Sequence, residues 1–209
     1  RGLELNPNYA IGHFYFANYL LAKEQFQDAL QEARRAKALD PVSLPARSNT
    51  ATALYYSGQH DQAIEQCFEA LEINPTFARS YEDLGRIYWE KGMRREAIRA
   101  YRRAVTYSGR SSLYTAELAH AYAATGRRKD ALQLLKELTI QARKRYVSPY
   151  AFALVYTGMG NKDQAFAWLG RAYEERAGTL PFLKIKPEFA SLRSNPRFHK
   201  LLSRMGLES

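Results

Sequence analysis

Across residues 78–111, ARSYEDLGRIYWEKGMRREAIRAYRRAVTYSGRS, apolar and small residues recur at helical spacing in two runs. Tyr81, Leu84, Gly85 and Tyr88 fall at i, i+3, i+4 and i+7, which predicts one apolar stripe of an α-helix. Gly92 stands where that helix is expected to stop, because a glycine just past the last turn accepts a left-handed backbone. Ala97, Ile98, Tyr101, Ala104 and Val105 make a second stripe. The unit reads as helix, tight turn, helix. Small residues at Gly85 and Ala97 predict a close approach of the two helices, with Tyr88 and Tyr101 filling the space around them.

The same pattern returns along the chain. Gly58, Gly92, Gly126 and Gly160 stand 34 residues apart, as do Ala29, Ala63, Ala97, Ala131 and Ala165, and as do Pro7, Pro41 and Pro75. In the first copy Glu24 takes the glycine position. Pro7 and Pro75 close the near-identical phrases LELNP and LEINP, read as the ends of second helices, since proline cannot continue a helix interior. Neither helix of such a unit can bury its stripe alone, so stacked copies are expected to share one continuous core.

The ladders predict five repeats, 10–43, 44–77, 78–111, 112–145 and 146–176, preceded by the end of another at 1–9, so that the chain reads as a piece of something longer. The period breaks after residue 176. In the segment 177–209, Pro187 and Pro196 read as first-turn prolines of two short helices, with Asn195 capping the second. Phe189, Leu192, Phe198, Leu201 and Leu202 supply their apolar faces, and the segment is expected to cap the array.

The unit resembles the tetratricopeptide repeat (TPR). The residues that carry the resemblance in the third copy are Gly85, Tyr88, Gly92, Ala97, Tyr101 and Ala104, at positions 8, 11, 15, 20, 24 and 27; Gly109 replaces the family's proline at 32. The resemblance implies an all-α, right-handed superhelix, an α–α solenoid of about five helix-turn-helix repeats with a C-terminal helical cap. It also implies a protein-interaction scaffold that takes a peptide or partner domain in a concave groove. SLRSNPRFHKLLSRMGL, residues 191–207, resembles the tail that closes the TPR region of multidomain bacterial signalling proteins, those with winged-helix, serine/threonine kinase or cyclase domains.

In that family the first helix of each repeat lines the groove. The positions carried over are Phe14 and Asn18 in the first repeat, Asn49, Thr52 and Tyr55 in the second, Arg79, Glu82, Arg86 and Trp89 in the third, and His120 in the fourth. Asn18, Asn49 and Arg79 match three places of the carboxylate clamp of chaperone-binding TPR domains, while Phe14 and Asp83 stand where that clamp has basic residues. The asparagines are expected to hold a peptide backbone, the arginines to favour acidic side chains, and the rings to anchor apolar ones.

Composition adds one alternative. Lys and Arg outnumber Asp and Glu by 31 to 21, a net charge of +10 that favours acidic partners. Arg95, Arg99, Arg102 and Arg103 are expected on the outer side of a second helix. They offer either a solvated face or a nucleic-acid surface, although no pair of reading residues recurs in every repeat. Chemistry is not legible. His13, His60, His120 and His199 are scattered without metal-ligand spacing, and Cys67 falls on a core stripe. There is no phosphate loop, so neither enzyme, metal nor cofactor is expected. The apolar run 9–22 is too short to span a bilayer and reads as a packed helix. No secretory signal is legible, which leaves cytoplasm and periplasm both open.

Overall fold

The computed structural model describes residues 2–207; Arg1, Glu208 and Ser209, which belong to the first and last expected segments, lie outside them. The chain forms two compact units, one up to Ser108 and one from Gly109. Both are helical, with no strand among the described residues.

The N-terminal unit holds α1 (Gly2–Leu5), α2 (Ala10–Ala22), α3 (Phe26–Leu39), α4 (Leu44–Tyr56), α5 (His60–Ile73), α6 (Ala78–Glu90) and α7 (Arg94–Tyr107). Each even-numbered helix pairs with the next one in an antiparallel hairpin, α4 lies beside α2 and α6, and α3 and α5 bridge successive pairs. The C-terminal unit holds α8 (Ser112–Ala124), α9 (Arg128–Ala142), α10 (Pro149–Gly158) and α11 (Lys162–Glu174), with α8 against α10. Two 3-10 turns, Leu180–Phe182 and Pro187–Leu192, and α12 (Pro196–Arg204) complete it. The expected two-helix tail is therefore one α-helix preceded by 3-10 turns. Proline opens Pro187–Leu192 and α12, and the Asn195 side chain accepts from the Arg197 N–H at 3.0 Å.

The glycine ladder has one structural meaning. Gly58, Gly92, Gly126 and Gly160 all have φ between +72° and +78°. Each donates to the carbonyl three residues back, and the residue after it donates five back, as in Gln59 N–H to Leu54 O at 2.9 Å and Met93 N–H to Tyr88 O at 2.9 Å. This is the Schellman stop. Glu24 makes the same turn with φ 61°, so the first copy keeps the geometry without the glycine. The alanine ladder is the core: Ala29, Ala63, Ala97, Ala131 and Ala165 are fully buried.

Position 8 shows how size is matched across the hairpin. Ala17, Ala51, Ala119 and Ala153 are fully buried there, but the third copy has Gly85, where an added Cβ would lie 2.6 Å from the Tyr101 ring. The glycine makes room for the one tyrosine at position 24; the other copies have Ala33, Cys67, Leu135 and Leu169. Gly85→Ala is expected to destabilise the N-terminal unit by about 1–3 kcal/mol, as overpacking does. Tyr101→Leu in the same chain should restore most of the loss in urea titration.

The run 9–22 departs from its expectation as a packed helix. His13, Ala17, Leu20 and Leu21 are buried, but Ile11, Tyr15, Phe16 and Tyr19 are exposed. At the repeat positions of Tyr15, Phe16 and Tyr19, α4 has Asn49, Thr50 and Ala53, all buried because a preceding helix pair covers them. Among the described residues only the four-residue α1 packs ahead of α2.

Candidate functional site

The first helices α2, α4 and α6 sit side by side, and their facing side chains form two polar seams in the N-terminal unit. The first joins α2 to α4. Asn18 Nδ2 and Asn49 Nδ2 both donate to the Phe14 carbonyl, at 3.0 Å and 3.1 Å. The asparagines expected to hold a ligand backbone thus hold the chain's own, because a helical carbonyl facing the next repeat keeps a second lone pair that can accept a side-chain N–H. Phe14 and Asn18 stay half-buried, while Asn49 is buried.

The second seam joins α4 to α6 and centres on Asp83. Its carboxylate accepts from Ser48 Oγ at 2.6 Å and Thr52 Oγ1 at 3.2 Å, both from α4. From its own helix come Arg79 Nε at 3.4 Å and an Arg86 nitrogen at 3.6 Å. Glu82 pairs with Arg79 Nε at 3.1 Å and with Arg86. The Arg86 guanidinium also lies 5.7 Å from the centre of the Tyr55 ring. Glu82, Asp83 and Arg86 are buried to 4% exposure or less. Two cations thus balance two anions, so Arg86 is not available to an acidic ligand as the sequence implied. Burial of ions requires such mutual pairing. Arg79 differs, with a side chain 42% exposed at the seam's edge and also 3.4 Å from Thr52 Oγ1. Trp89, half-buried at the end of α6, lies under the Arg94 guanidinium at 4.0 Å.

Sequence reasoning placed Asp83 only as a departure from the clamp. Its signal was position 6, which reads Asn49, Asp83 and Glu117 in successive copies, a polar residue beside the apolar stripe each time. Cys67 is 1% exposed, and burial pushes its thiol well above the usual range, as in a core cysteine.

His120 belongs to the C-terminal unit and is not open. The tail covers it. Burial lowers its pKa against the opposing pull of Glu188, whose backbone and charge both face it. Glu117 on the same helix is 3% exposed, and Lys186 Nζ lies 3.6 Å from its Oε1. Phe189 sets its ring edge-on to Tyr150 at 5.4 Å. On the other side of this unit α12 lies against α11, where Arg197 pairs with Asp163 at 2.8 Å and Tyr173 Oη donates to the Arg204 carbonyl at 3.0 Å.

The outer helix α7 exposes Arg95, Arg99, Arg102 and Arg103, as its pattern predicted. Among the described residues no group of His, Cys, Asp and Glu is placed to hold a metal, and no helix is long and apolar enough to cross a membrane.

Comparison with known proteins finds tetratricopeptide repeats in the middle of the chain. TPR models match residues 51–92 and 78–110. The small glutamine-rich tetratricopeptide repeat-containing protein 2 of Mycosarcoma maydis is 33% identical over 88 residues, 42% of this chain and 25% of that protein. The chain therefore spans a quarter of that relative's length. Among solved structures, a thermophilic TPR protein of Thermus thermophilus superposes with a TM-score of 0.64 at 21% identity, over 95% of this chain and all of the other. The Cut9–Hcn1 hetero-tetramer of the APC/C gives 0.66 at 16% identity, over 99% of this chain and 42% of the other. Residues 51–110 thus carry tetratricopeptide repeats by sequence, and the helix pairs on either side share the tetratricopeptide fold.

Proposed function

We propose that the chain is a protein-interaction scaffold without catalytic activity, and that it holds an extended segment of its partner on the first-helix face of the N-terminal unit. The observation that supports this reading best is Arg79. Its guanidinium is fixed by Glu82, Asp83 and Thr52 yet keeps 42% of its side chain in solvent, a pre-positioned donor on the helix that also carries the half-buried Trp89. A donor held in place before binding loses little entropy on binding. The preferred ligand combines an acidic or carbonyl acceptor with an apolar side chain. A tetratricopeptide-repeat relative supports such a scaffold; the setting we propose is the interaction region of a larger bacterial signalling or regulatory protein.

The exposed arginines of α7 favour a second reading, binding of nucleic acid on the outer helices. Peptides selected from a random display library at physiological salt separate the two. Trp89→Ala and Arg79→Gln should each weaken the selected peptides about tenfold, the size of one lost anchor, while Arg102→Glu with Arg103→Glu leaves them unchanged. Tight, steeply salt-dependent binding of single-stranded RNA, abolished by the α7 pair, would support the second reading instead.

A further inference from the structure

We propose that the first-helix face of the C-terminal unit is a second peptide-binding site, filled by the chain's own segment Lys186–Leu192, and that its ligand class is a lysine followed by Pro-Glu-Phe. Three observations carry this. First, the residues that receive the segment hold the repeat positions of the N-terminal unit's polar seam: Glu117 corresponds to Asp83, His120 to Arg86 and Tyr150 to Glu82. Second, the tail supplies a partner to each of them. Glu117, buried on α8, meets the Lys186 ammonium; His120 meets Glu188; Tyr150 meets the ring of Phe189, which is fully buried. In the N-terminal unit the buried acid Asp83 meets arginines of its own helix, and in the C-terminal unit the buried acid Glu117 meets a lysine of the tail. A buried carboxylate demands a cation, so the site selects for lysine at that place. Third, the tail leaves α11 through Glu174, Glu175, Arg176 and Gly178, all exposed, before Leu180 and Leu183 bury themselves ahead of the segment, so the connection can be opened without touching the seated residues.

The site does not depend on the peptide face proposed for the N-terminal unit, and the test does not involve that face. A protease site placed in the exposed stretch 174–178 of the full chain allows the tail to be cut after folding. The cut chain should retain its tail fragment on gel filtration and exchange it for a fluorescein-labelled synthetic peptide of residues 180–207, read by anisotropy. Competing peptides with Lys186→Glu or Phe189→Ala should be at least about tenfold weaker. The uncut chain should not bind the labelled peptide. Aggregation on cutting would reduce the segment to a piece of core and overturn the proposal. So would equal competition by the altered peptides.

Discussion

Arg86→Met is expected to cost about 3–5 kcal/mol of stability, the penalty for leaving a buried charge without its partner. The substitution keeps the volume of the side chain but strands Glu82 and Asp83, both 2% exposed, with only Arg79 to face them. Against a total stability of about 5–15 kcal/mol for a domain, that loss is large. The chain has 2 tryptophans, Trp89 and Trp168, one in each unit. Trp89 fluorescence in a Trp168→Phe background therefore reports the N-terminal unit alone. Adding Glu82→Met to Arg86→Met should recover part of the loss, because one anion is then left for Arg79. A change below about 1 kcal/mol would mean that water reaches these carboxylates.

Phe189→Ala should be as damaging to the C-terminal unit, at about 3–5 kcal/mol. The ring is fully buried against Tyr150, and Leu183 and Leu192 of the same tail are fully buried with it. Phe182, two helical turns of sequence away and only half-buried, serves as the contrast, and Phe182→Ala should cost much less. Trp168 fluorescence in a Trp89→Phe background reads both. Equal effects of the two substitutions would contradict the packing described for Pro187–Leu192.

The helix pairs were legible because each rests on signals repeated in register. A stripe of apolar residues, a glycine with a left-handed backbone and a buried alanine recur at one spacing, and each has one physical cause in every copy. Glu24 shows that the turn survives where its glycine is missing, held by the same two backbone hydrogen bonds, Glu24 N–H to Leu21 O at 3.0 Å and Gln25 N–H to Leu20 O at 3.0 Å. The candidate face was legible only in part. Position within a repeat put Asn49, Thr52, Arg79 and Arg86 on it, but whether a polar side chain meets ligand or a neighbouring helix depends on what the next repeat offers. Asn49 found the Phe14 carbonyl, and Arg86 found Glu82. Nothing periodic announced the tail's partners. Lys186 and Glu188 lie outside the repeat, and their pairing with Glu117 and His120 follows from the path of the chain after α11, which no local pattern encodes.

Hydrogen exchange of the full chain with and without a selected peptide tests the central claim most directly, since it reads every helix at once. The account predicts slowed exchange in α2, α4 and α6, centred on the ends of α2 and α6 near Phe14 and Trp89, with α7 unchanged. Protection concentrated in α7, with α4 and α6 unaltered, would contradict it and place the binding surface on the outer arginines.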